Sequence, residues 1–210
     1  MSVKKMWLLR AKPHNYKISK IKEFMEMSIV GIGWPGLGDL TGKNYEEIKE
    51  LLSTEYSKQK LGIYASTVNS FINDMAKGDL VVVPEEDIIH IAKIVGDYYY
   101  DEAFAGEEQG FPHQRRVEWL GEVSRHKLPM NFRNAFVQRT IANLSKFLDV
   151  IENILAGVDV DTGEVNTTKP DFSTYEYPVR PQLYAKISIP NDITEKEAER
   201  LASFVKTLYF

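Results

Sequence analysis

Cysteine is absent from all 210 residues, which excludes disulfides, thiolate metal sites and a cysteine nucleophile. The four histidines, His14, His90, His113 and His126, show no metal-ligand spacing, so neither a zinc site nor any other cofactor is expected. No apolar run approaches the roughly 20 residues that cross a bilayer. The basic stretch 1–10 is followed by no apolar signal-type segment. The expectation is a soluble, cytoplasmic, metal-free protein with no membrane partner. Catalytic strings are missing too. There is no Gly-x4-Gly-Lys-Ser/Thr phosphate loop. Glu47-Ile48-Lys49 has the letters of a metal-dependent nuclease, but a predicted helix face accounts for it. No catalytic residue is assigned, and an enzyme is not expected.

Charge of one sign is scarce only locally. The net charge of −4 argues against a protein that coats nucleic acid. Yet residues 111–146 hold seven Lys/Arg against two Glu, a balance of +5, and residues 147–210 come to −5. The middle segment can meet phosphate, and the tail should not.

What is present reads as a mixed α+β chain. Residues 6–10 form an apolar first strand, and 18–27 has helical spacing. Asn44 caps a predicted helix over 45–56, with Glu46 and Glu47 in its first turn. Gly62 separates it from a second helix over 65–77. Leu80–Val83 is a continuous apolar strand stopped by Pro84. Residues 87–95 and 98–100 read as strands bent apart by Gly96-Asp97, 101–112 as a mobile loop, 115–120 as an alternating strand, and 131–155 as a helix. Five to seven short strands with several helices predict a small curved sheet or pseudo-barrel flanked by helices. That domain spans 1–156. Residues 157–178 are polar and read as a linker, and 179–210 as a strand–helix element for docking or dimerisation. Truncation after Val160 should then leave a folded domain.

The stretch that organises the rest is 28–40. Ile29, Val30 and Ile32 make a buried strand interrupted by Gly31, Gly33 permits close backbone approach, and Pro35-Gly36 forces a turn. Trp34 sits where the strand ends and a glycine-rich loop begins. It either caps the core or faces a pocket. The dinucleotide pattern Gly-x-Gly-x-x-Gly is matched only superficially, because no helix starts there.

Several pieces, in order, carry a resemblance. They are Met6-Trp7-Leu8-Leu9-Arg10, Gly31-Ile32-Gly33-Trp34 with Gly38-Asp39-Leu40, and Met75 to Val83 with its Gly78-Asp79. Next come Ile94 to Tyr100, and Pro112-His113-Gln114-Arg115-Arg116 with Trp119-Leu120. Over 6–147 this order resembles the N-terminal domain attached to restriction-endonuclease-like proteins of the Mrr superfamily. More distantly it is similar to the PUA-like class of EVE and YTH modules. The resemblance implies a curved sheet with a pocket that takes one flipped, often methylated base between aromatic side chains, in restriction or antiviral defence. No nuclease follows here, so recognition is the transferable part, with any nuclease or NTPase acting in trans.

The candidate base-binding residues are Trp34, Tyr98, Tyr100 and Trp7, although Trp7 also reads as core. Asp39 is a candidate acceptor for a base amino group or a turn stabiliser. Arg115 and Arg116 either contact phosphate or lie on a solvated strand face. The expected partner is nucleic acid, including methylated DNA, and homo-oligomerisation is expected through 179–210. The alternative is a protein–protein adaptor with no nucleic-acid binding.

Overall fold

The computed structural model describes residues 4–13, 18–54, 56–136, 139–158, 160, 172–190 and 193–207. His14, Leu208 and 161–171 of the expected linker lie outside them. Two units divide the chain, 1–163 and 164–210.

The larger unit begins with β1 (Met6–Leu9), α1 (Ile21–Met27), β2 (Ile29–Ile32), α2 (Tyr45–Ser53) and α3 (Lys58–Asn69). β3 (Leu80–Glu85), β4 (Ile88–Tyr100) and β5 (His113–Ser124) follow, then the short α4 (Met130–Arg133), β6 (Ile141–Asn143) and α5 (Leu148–Leu155). The six strands form one open sheet in the order β2-β5-β4-β3-β1-β6. β1 and β3 are parallel and the other pairs antiparallel. This is the curved α+β sheet flanked by helices that the sequence predicts, open rather than closed.

Both faces of the sheet are covered, which explains the unbroken apolar runs of β1 and β3. Trp7, Leu9, Val81 and Val83 pack with Phe24, Ile48, Leu52, Ala65, Val68 and Phe71 on one side. Met6, Leu8, Leu80 and Val82 pack with Phe132, Phe147 and Ile151 on the other. Along β5 the buried face changes partway. Ile91 faces Gly121 but Ala92 faces Trp119, so Leu120 is an extra residue. The resulting bulge turns Val117 to the first core and Val123 to the second, and it bends the strand.

Four sequence expectations are corrected. Gly62 lies inside α3; the exposed glycine weakens the helix by about 1 kcal/mol, which burial of Ala65 and Val68 outweighs. Pro84 does not stop β3, because pairing with β1 ends at Val82 and its missing N–H breaks no ladder there. Residues 131–155 are not one helix, since Ile141–Asn143 pairs with β1. The segment 101–112 is tied at both ends, by the Asp101 amide donating to the Pro112 carbonyl at 2.8 Å and by burial of Phe111.

After α3 the chain widens into a π-helix, Ser70–Asp74, closed by the Met75 amide donating to the Ser70 carbonyl. Arg115 explains it. This residue is only 4% exposed, so the solvated strand face expected for it is wrong. Its Nε donates to the Phe71 carbonyl at 2.8 Å, Nη2 to Ile72 at 2.9 Å and Nη1 to Gly96 at 3.4 Å. The π turn presents its carbonyls to this guanidinium, which bonds main chain instead of phosphate.

Arg115→Met takes the guanidinium donor from three carbonyls, Phe71, Ile72 and Gly96, and should cost about 2–4 kcal/mol. Arg115→Lys retains the charge but not the planar fork, and urea midpoints should show it intermediate.

The smaller unit holds β7 (Phe172–Arg180), β8 (Leu183–Pro190) and α6 (Glu195–Val205). β7 and β8 form a two-stranded sheet, so Phe172 to Pro178, read as linker, is strand.

Candidate functional site

The Trp34 loop is built from glycine geometry and held by hydrogen bonds at both ends. A Cβ at Gly33 would lie 3.3 Å from the carbonyl oxygens of Gly110 and Pro13, too tight for any other residue without movement. Gly38 takes φ 62°, ψ −161°, a region open essentially to glycine alone. Trp34 itself is left-handed, φ 67°, ψ 52°. For a bulky side chain that is an outlier costing about 1–2 kcal/mol.

His113 holds it there. The imidazole Nε2 lies 3.1 Å from the Trp34 carbonyl, which can only accept, so Nε2 carries the proton. Nδ1 of the neutral ring then accepts from the Tyr98 hydroxyl at 2.9 Å. The same hydroxyl accepts the Leu40 amide at 3.2 Å. One relay from β5 through β4 thus grips both ends of the loop.

Burial dominates the electrostatics of that relay. His113 is fully buried, which pushes its pKa down to about 4. Burial pushes Tyr98 up to about 12, with the Asp39 carboxylate adding to the rise. Asp39 is exposed and held below the usual carboxylate range, first by the hydrogen bond from the Thr41 hydroxyl at 2.7 Å and then by the Thr41 amide at 2.9 Å. It closes the turn and keeps a negative charge beside Tyr98.

Three expected residues gather around His113. Tyr98 stacks on its ring at 5.9 Å, Tyr100 tilts against it at 5.4 Å, and the Trp34 main chain accepts from it. Asp39 adjoins the same cluster. The Trp34 ring is half-buried and meets Tyr64 of α3 edge-to-face at 5.9 Å; Tyr64 meets Tyr56 at 4.8 Å. The remaining expected residues stand apart. Trp7 is core, its Nε1 donating to Asp79 at 2.9 Å. Asp79 also accepts the Lys5 and Ala76 amides, which accounts for the Gly-Asp before β3. Arg116 is exposed, its guanidinium 5.9 Å from the Tyr99 ring.

Sequence reasoning missed His113 and Tyr64. His113 shares the inward alternation of Arg115, Val117 and Trp119, and that parity was the available signal. Tyr64 was hidden by reading Gly62 as a helix break. Two surface grooves, one with Val123, Lys127, Ile154 and Val158 and one with Ile21, Lys22, Glu23 and Glu85, are lined by none of the cluster residues.

A family model described as a domain of unknown function, DUF8426, matches residues 7–145. The chain belongs to this family. The DUF8426 region takes in the whole Trp34–His113 cluster. No curated protein matches the sequence. Among solved structures, the chain is similar to the YTH domain of the Zygosaccharomyces rouxii MRB1 protein in complex with N6-methyladenosine RNA. Identity is 11%, the TM-score is 0.38, and the match covers 74% of this chain and 88% of that one. The Pho92 YTH domain in complex with m6A is similar at 11% identity and TM-score 0.36, covering 75% and 87%.

The relay has a pH signature. The folded pKa of His113, about 4, lies below its unfolded value of 6.5, so the unfolded chain takes up that proton first as pH falls. The contribution is fully present above pH 6.5 and declines by roughly 3 kcal/mol as pH falls through about 4. Urea midpoints should fall over this window in the wild type, and His113→Gln should flatten that part of the profile.

Proposed function

We propose that the DUF8426 region is a nucleic-acid-sensing module that stacks a single extruded, modified base on Trp34. It serves a restriction or antiviral defence system in which a separate nuclease or NTPase acts. The observation that carries this reading is a half-buried tryptophan kept in a left-handed backbone by a buried relay. Backbone strain of this kind persists where surroundings over-determine it, and it concentrates at ligand clamps. Tyr64 stands beside the indole as a second aromatic wall, and Asp39 offers a carboxylate to a base amino group. The ordered resemblance to Mrr-associated domains supports the defence setting. N6-methyladenine is the first modification to test, because both YTH domains above were solved with that base.

Electrostatics limits the mode of binding. With Arg115 inside, the exposed cations of β4 and β5 among the described residues are Lys93 and Arg116, so few phosphates can be neutralised. Salt dependence should therefore be shallow. Unpairing costs a few kcal/mol, so single strands and mispaired sites should bind better than intact duplex.

A stacking face contributes roughly 1–3 kcal/mol. Trp34→Ala should thus weaken binding about tenfold to a hundredfold, measured by fluorescence anisotropy of labelled methylated and unmethylated oligonucleotides. Trp34→Gly is the companion variant: it removes the ring but accepts the left-handed backbone, so it should lose binding while melting above Trp34→Ala. Negligible binding of every oligonucleotide by the wild type overturns the reading. A Trp34→Gly protein that binds normally removes Trp34 from the site.

A further inference from the structure

We propose that Arg115 is a positioning residue of the Trp34 site: through the π-helix it sets where α3 presents Tyr64 to the indole. Its consequence for binding rests on the base-stacking reading, whereas the geometry it concerns does not.

The indole has two supports, and each is fixed from β5. His113 holds the Trp34 main chain through its carbonyl. The ring itself meets Tyr64 at 5.9 Å, with the two planes 62° apart. Tyr64 belongs to α3, so that contact keeps one geometry only if the helix is held in rotation and along its axis.

Apolar burial alone holds α3 loosely. Of its twelve residues only Ala65 and Val68 are buried. Ser57 stands at its N-cap with no side-chain bond to the first turn. Hydrophobic contact is non-directional, so a helix so slightly buried needs directional bonds to fix its register.

Those bonds lie at its C-terminal end. Arg115 donates to the Phe71 and Ile72 carbonyls at 2.8 and 2.9 Å, and its guanidinium lies 5.8 Å from the Phe71 ring. Main chain and side chain of Phe71 are thereby gripped together. Val68 and Phe71 follow Tyr64 by four and seven positions, which puts all three on one face. A displacement at Phe71 is therefore carried about 10 Å along the helix to Tyr64.

A second tie closes the circuit. Asn73 of the π-helix donates to the Lys43 carbonyl at 3.1 Å, and the Lys43 amide donates to the Leu40 carbonyl at 3.1 Å. Leu40 is the end of the Trp34 loop that Tyr98 grips. The π-helix thus joins β5, the loop end and the helix that carries Tyr64. Its widened turn frees neighbouring carbonyls for a planar, forked donor.

Nuclear magnetic resonance of the Trp34 indole in the free full chain tests this without a ligand. Its signals are those lost in Trp34→Gly, and Tyr64→Leu should move them by removing the neighbouring ring current. Arg115→Lys should move them towards the Tyr64→Leu positions, and Arg115→Met further; Arg115→Lys carries the test if Arg115→Met unfolds. Ile151→Ala, which loosens the second core, should leave them in place. Tyr64→Leu and Arg115→Lys should each weaken oligonucleotide binding by up to about tenfold. Together they should weaken it no more than Tyr64→Leu alone, because one acts through the other. Indole signals that stay at their wild-type positions in the Arg115 variants overturn the proposal. Signals that Ile151→Ala moves as far overturn it too, since general loosening then explains them. A wild type that binds no oligonucleotide overturns base stacking alone, and the indole signals still decide the role of Arg115.

Discussion

Three consecutive polar side chains at the start of β5 point away from water, and the larger unit is assembled around what they bond. His113 donates to the Trp34 carbonyl, Gln114 to Phe111, and Arg115 to Phe71, Ile72 and Gly96. Buried donors without partners cost about 1–3 kcal/mol each, so their satisfaction dictates where three separate segments of main chain lie. The Trp34 loop, the return from 101–112 and the π-helix are all held by this one strand. β5 can do so because it lies between β2 and β4, with both neighbours fixed by the ladder.

The bulges follow from that position. β4 gains two residues on β5 between Ile94 and Tyr98, which carries Tyr98 to the level of Arg115 and places its hydroxyl at His113. Parity is kept, so Ile94 and Tyr98 pack on the same core. The later bulge at Leu120 changes parity and hands β5 from one core to the other. A regular strand could not bring Tyr98 to the relay and also bury Val123 beneath Phe132.

Much of this was legible in the sequence, for reasons that also mark where legibility ended. The runs Met6–Leu9 and Leu80–Val83 state two-sided burial directly, and Asn44 with Glu47 states a capped helix. Gly33 and Gly38 mark a loop that needs close approach and an unusual backbone. Arg115 misled because alternation predicts which face a side chain takes, not whether distant carbonyls wait there. Those carbonyls are freed by a π turn that no local pattern announces. His113 was passed over for the same reason: its partners lie 15 and 79 positions away. The continuity of α3 through Gly62 was likewise decided by burial of Ala65 and Val68, a tertiary effect that outweighs propensity.

The backbone at Trp34 remains the most informative single departure from local rules. Glycine would relieve about 1–2 kcal/mol there, and the adjacent loop already uses glycine at 33, 36 and 38. The neighbours therefore supply conformational freedom while position 34 keeps a large ring against its own backbone preference. Core burial does not demand it: the indole is half-buried, whereas Trp7 is 4% exposed in an unstrained strand. A left-handed tryptophan fixed through its carbonyl has its Cα–Cβ direction set by the main chain, while its ring torsions are set by packing against Tyr64. On the proposed base-stacking reading, the relay and Tyr64 together hold the indole in place and lower the ordering cost of binding.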